Sequence, residues 1–122
     1  MIEGTLIGES LRVDGLLEGI SLSVNKISRS HAGDVEGGQP RTWTFIHFAA
    51  PDDEADTLAQ ALSGCLDPQS GWYCDFRTDR ETFVVFADRI FRYPRGDPNR
   101  RPEVEAYGRT VGVPDSQLDW PE

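Results

Sequence analysis

Residues 71–97, GWYCDFRTDRETFVVFADRIFRYPRGD, decide the fold. Three stretches, 72–77, 82–86 and 90–93, are rich in aromatic and β-branched residues, and polar turn residues separate them. That pattern predicts a three-stranded antiparallel meander. A turn over 78–81 pairs Phe76 with Phe83, Cys74 with Val85 and Tyr73 with Phe86. The second turn admits two registers. A two-residue turn at Asp88-Arg89 pairs Phe86 with Phe91 and puts Arg92 on the side of Trp72, Cys74 and Phe76. A three-residue loop of Ala87, Asp88 and Arg89 pairs Phe86 with Ile90 instead. A one-residue slip moves every side chain of a strand to the opposite face, so the cleaner separation favours the three-residue loop. One face then carries Trp72, Cys74, Phe76, Phe83, Val85, Phe91 and Tyr93. The other carries Tyr73, Asp75, Arg77, Val84, Phe86, Ile90 and Arg92.

In that register Asp75, Val84 and Arg92 form a row across three strands, with Tyr73 and Arg77 beside Asp75. A carboxylate flanked by two guanidiniums on a partly apolar floor can orient an anionic or amide-bearing ligand. A surface ion pair on an exposed sheet face explains the same residues, and is worth about 0–1 kcal/mol. His47, on an adjacent strand, is a candidate pH-active group, although a lone strand histidine also serves as a plain hydrogen-bonding residue. The candidate ligand-binding set is therefore Tyr73, Asp75, Arg77, Arg92 and His47.

Working outward, residues 6–13 and 20–28 alternate loosely and read as two strands, parted by Asp14-Gly15 and Gly19. In the second, Ile20, Leu22 and Val24 share a face, and Ile27 breaks the phase, marking a bulge or the strand's end. Residues 30–41, with Gly33, Gly37, Gly38 and Pro40, read as a polar, mobile loop. Residues 42–48 form a strand with Trp43, Phe45 and His47 on one side and Thr44, Ile46 and Phe48 on the other. Apolar groups on both faces predict a central position.

Pro51-Asp52-Asp53-Glu54 opens a helix, with Asp52 or Asp53 as its cap, and Leu58, Leu62, Cys65 and Leu66 make its buried stripe. Those acidic residues answer to a helix start better than to a metal site. Pro102 starts a second helix with the stripe Val104, Tyr107 and Val111, closed by Gly112 and Pro114. Leu118 and Trp120 should fold back onto the domain.

The whole chain, 1–122, reads as one domain, with 38% hydrophobic and 27% charged residues. Twelve basic against 21 acidic residues leave a formal charge of −9, a field that repels phosphate backbones and argues against nucleic acid as a partner. No apolar run is long enough to span a bilayer, and Met1-Ile2-Glu3-Gly4 shows no export signal, so a cytoplasmic protein without membrane attachment is expected. Cys65 and Cys74 suit buried free thiols, and with His31 and His47 they match no zinc spacing, so neither a metal nor a cofactor is expected.

Phosphate-binding glycine loops are missing, Ser10 lacks the second glycine of a nucleophile elbow, and no Ser, His and Asp set has a defensible spacing. Arg95-Gly96-Asp97 reads as a loop closing the last strand. From Gly71 onward the order GWYCDFRTDRETFVVF, RIFRYPRGD, EAYGRTVGVP and QLDWPE resembles a group of small bacterial proteins, actinobacterial in character, to which no activity is attached. The resemblance covers residues 71–122 best and implies a bacterial, intracellular protein. It carries over no functional residue.

Together these readings predict an α+β fold: an antiparallel sheet of five or six strands with two helices packed against its apolar side, in the order βββαβββα. The function expected from size and charge is a non-enzymatic acidic binding or interaction module, of accessory or immunity type, with a protein partner or a homodimer pairing through Phe86 and Tyr73. The alternative is a small enzyme or small-molecule-binding protein with a polar site around Asp75 and Arg92.

Overall fold

In the computed structural model, β1 (Ile2–Ile7), β2 (Ser23–His31), β3 (Thr42–Ala50), β4 (Cys74–Arg77), β5 (Glu81–Phe86) and β6 (Arg89–Pro94) form one antiparallel sheet. Their spatial order is β2-β3-β1-β4-β5-β6. Helix α1 (Ala55–Cys65) joins β3 to β4, and α2 (Arg101–Thr110) follows β6. The α+β class and the element order are those read from the sequence. The structure describes residues 1–33, 35 and 38–122, so the mobile loop expected at 30–41 falls, at Asp34, Glu36 and Gly37, outside the described residues.

The first strand lies earlier than its apolar spacing suggested, at Ile2–Ile7 rather than 6–13. Its inward positions are Ile2, Gly4 and Leu6, and the glycine conceals the alternation. Gly4 is there for space: a Cβ would meet Phe48 Cζ at 2.7 Å and Phe76 Cβ at 2.8 Å. The strand ends in a 3-10 turn, Gly8–Ser10. The Ser10 hydroxyl donates to the Ile7 carbonyl at 2.6 Å, and the Glu9 carboxylate accepts from the Thr44 N–H at 2.6 Å and its hydroxyl at 2.9 Å.

In β2 the extra residue is Asn25, since Val24 pairs with Phe48 and Lys26 with His47. The bulge comes two residues before the phase break at Ile27, and it returns Val24 and Ile27 to one face. Both remain exposed. Ile20 and Leu22 precede the strand and pack part-buried against the core.

The meander forms, with Cys74 opposite Val85 and Phe76 opposite Phe83, but its second turn follows neither expected register. Phe86 pairs with Arg89, Val85 with Ile90, Val84 with Phe91 and Phe83 with Arg92. The turn is Ala87-Asp88. Asp88 adopts φ 59°, a left-handed conformation that Asp tolerates, and its N–H donates to the Ser63 carbonyl of α1 at 3.1 Å. This anchoring shifts β6 by one place, so Ile90 and Arg92 move to the Phe83 face while Phe91 and Tyr93 move to the Val84 face.

The expectation that both helices cover one side is corrected by the same observation. Residues 82–86 are all buried, as in a strand covered on both sides. On one face Ile2, Leu6, Phe48, Phe76, Phe83 and Val85 pack with Leu58 and Leu62 of α1. Phe76 and Phe83 stack there with centroids 4.7 Å apart, an aromatic contact worth about 0.5–1.5 kcal/mol beyond its burial. On the other face Val84, Phe86, Phe91 and Tyr93 pack with Val104 of α2 and with Val113, Leu118 and Trp120 beyond it. The Trp120 indole N–H donates to the Tyr93 hydroxyl at 2.7 Å, fixing this tail to the sheet.

The caps differ as well. Residues Asp52–Glu54 form a 3-10 turn, α1 begins at Ala55, and no side chain caps it. Pro102 does open α2, within its first turn.

Candidate functional site

Arg92 lies on the face opposite Asp75. It pairs with Asp56 at 2.5 Å and Glu81 at 2.6 Å, and its guanidinium sits 4.7 Å over the Phe83 ring. The row Asp75–Val84–Arg92 is therefore replaced by another, since Thr5 lies opposite His47 on β3 and Asp75 on β4, and Val84 lies opposite Asp75 on one side and Phe91 on the other. The Thr5 hydroxyl and His47 Nδ1 are 3.0 Å apart. Thus four expected residues, Tyr73, Asp75, Arg77 and His47, do share one face, and the fifth does not.

On this face α2 and the tail after it pack Val104, Val113, Leu118 and Trp120 against β5 and β6, and Trp120 also meets Tyr73 just before β4. Beside this tail the sheet surface remains an open-sided cleft of about 400 Å³. Its floor is Thr5, Ile7 and Asp75; its walls are Trp43, Phe45, Trp72 and Tyr73; Ala32 and Gly33 stand at one rim, and Ser116, Gln117 and Asp119 at the other. His47 and Arg77 stand behind the lining, His47 holding Thr5 and Arg77 holding Asp75.

Local structure explains how these side chains are held. Trp43 meets Trp72 edge-on, with centroids 5.2 Å apart, and its indole N–H donates to the Pro40 carbonyl at 2.8 Å. The Tyr73 hydroxyl donates to the Gln117 carbonyl. Gln39, buried, donates to the Ser70 carbonyl at 2.7 Å and exchanges amide hydrogen bonds with Gln117. Gly71 takes φ 67°, and a Cβ on it would collide with the Gly112 carbonyl oxygen, so only glycine lets the α2 end approach β4 this closely.

The Asp75 side chain is 19% exposed and pairs with Arg77, itself 16% exposed. Burial pushes the Asp75 carboxyl up to about 6; the Arg77 charge opposes this, and Asp119 adds a smaller push in the same direction as burial. Burial, reinforced by the charges of Asp75 and Asp119, drives the Tyr73 phenol far above its usual range. Cys65 and Cys74 are free and buried, and burial raises both thiols. Among the described residues no three His, Cys, Asp or Glu side chains gather to hold a metal ion.

Sequence reading did not find Thr5, Trp43, Phe45, Trp72 or the 116–119 rim as site residues. Trp43 and Phe45 carried a usable signal, sharing the His47 face of a strand. Asp119 and Gln117 carried none, because their place depends on how the tail folds back. Compared with family models, with curated proteins and with solved structures, the chain finds no match.

Proposed function

We propose that this protein is a non-enzymatic binding module whose site is the cleft over β1, β3 and β4. The observation that carries the reading is a concave space of about 400 Å³, aromatic-walled, with a largely desolvated carboxylate in its floor. Ligand sites are commonly concave, mostly apolar and equipped with a few convergent polar groups. A carboxylate shifted by burial inside a cleft is a further mark of such a place. A cytoplasmic location belongs to the same reading, supported by the free thiols at Cys65 and Cys74. Among the described residues no helix is long and apolar enough to cross a membrane.

The pairing surface expected at Phe86 and Tyr73 is closed, because Phe86 is 1% exposed and Tyr73 packs against it and Trp120. A hydrolytic reading has one contact in its favour, the Thr5 hydroxyl beside His47 Nδ1. Among the described residues, however, no third group holds the imidazole as an activated nucleophile requires.

Amide and indole spectra of the labelled protein, recorded against mixtures of small polar and apolar fragments, test the proposal. Shifts should cluster on the Trp43 indole, Gly71, Tyr73 and Asp75. A cluster on the α1 face, or none at all, would overturn it.

A further inference from the structure

We infer that the cleft selects an organic cation, a protonated amine or quaternary ammonium borne on a short apolar chain. The inference rests on the cleft being a binding site and adds the chemistry of its ligand. Its first support is the charge of the lining. Among the described lining residues Asp75 and Asp119 are the acidic members, His31 is the sole basic side chain, and there is neither Lys nor Arg. The two guanidiniums whose charge reaches Asp75 are already engaged: Arg77 on Asp75 itself, and Arg101 on Glu105 at 3.2 Å, Glu122 at 2.7 Å and the Trp120 ring at 4.3 Å. With Arg92 on the opposite face, the pair of guanidiniums that would have received an anion is gone.

The second support is the aromatic wall. The polar edges of Trp43 and Tyr73 are spent on the Pro40 and Gln117 carbonyls, so neither side chain has a donor left for a ligand. Ring surface attracts cations through its quadrupole, and more strongly where water is excluded. Four aromatic residues line the cleft beside a carboxylate, Trp43 and Trp72 nearly buried and Phe45 and Tyr73 partly exposed, a lining that fits an ammonium head and its methylene chain together. A net charge of −9 then raises the local concentration of such cations.

The test titrates the labelled full chain at neutral pH with n-butyltrimethylammonium, n-butylamine, n-butanol and butyrate, following the cleft signals. Both cations should bind saturably, about tenfold or more tightly than butanol, and butyrate should not bind; charge-assisted contacts set that scale. Asp75→Asn should remove most of this preference, and Phe45→Leu, on the partly exposed wall, should weaken the quaternary cation while sparing butanol. Equal binding of butanol, or preference for butyrate, would overturn the cation inference and leave the cleft proposal standing. Cleft signals that respond to no probe would overturn both. Nα-acetyl-lysine methylamide separates two sources of the same chemistry: tighter binding than n-butylamine assigns the cation to a protein side chain, weaker binding assigns it to a free amine, and either outcome supports the class.

Discussion

Gln39 and Gln117, 78 residues apart in the chain, exchange two side-chain amide hydrogen bonds, Gln39 Nε2 to Gln117 Oε1 at 3.1 Å and Gln117 Nε2 to Gln39 Oε1 at 2.8 Å. Gln39 Nε2 also donates to the Ser70 carbonyl at 2.7 Å. Three separate segments, the turn before β3, the approach to β4 and the tail after α2, are thereby tied at the rim of the cleft. Gln39→Ala removes three part-buried hydrogen bonds and should cost about 1–3 kcal/mol in urea unfolding, with an unchanged denaturant slope.

Asp75 gives the stability curve a definite direction. Its folded carboxyl titrates at about 6, above the ordinary 3.8, so the native state holds this proton more tightly than the unfolded chain. The associated stability is complete below the ordinary value and is lost as pH rises through about 6. A proton held that much more tightly is worth about 3 kcal/mol. Compared with Asp75→Asn, the wild type should lose roughly that much between pH 4 and pH 7, and the Asp75 side-chain carbon should titrate near 6 by NMR. A midpoint at an ordinary carboxylate value would remove both this prediction and the desolvated floor. The groups facing Asp75 are Arg77, Tyr73, Asp119 and Arg101, with His47 one hydrogen bond away through Thr5.

Arg92→Ala should leave amine binding unchanged. Its partners Asp56 and Glu81 are partly or largely exposed, and so is Arg92 itself. The loss in stability should be about 1 kcal/mol or less, part of it the contact with the Phe83 ring.

Gly71→Ala should damage both stability and the cleft. The left-handed backbone and the collision with the Gly112 carbonyl together cost about 2–4 kcal/mol. The calorimetric midpoint should fall, and the signals of Tyr73 and Gln117 should move with it.

The elements legible from the chain were those whose apolar spacing is local. The stripe Leu58, Leu62, Cys65 and Leu66 is buried as its period demands, and Phe76 meets Phe83 as the first turn requires. Two features were hidden. Gly4 interrupts the inward row of β1, and the apolar run of 83–86 does not say that a second core exists on its far side. Without that second core, the preference for separating polar from apolar faces selects the wrong register, because Phe91 and Tyr93 belong with Val84 rather than with Phe83.

The site followed the same division. Tyr73, Asp75 and Arg77 are neighbours in sequence, so their clustering was readable, and His47 joins through strand pairing. Arg92 was misplaced by the one-residue slip at Ala87-Asp88. The rim at Gln117 and Asp119 depends on long-range folding of the tail, which no short-range pattern encodes.

The extra residue at Asn25 has a consequence for assembly. It divides the outer edge of β2 into two pairing frames that are out of step, with Lys26 and Arg29 on the longer one. A foreign strand laid along that edge can satisfy one frame only by abandoning the other. The exposed Val24 and Ile27 therefore sit on a margin that resists templated growth of fibrils.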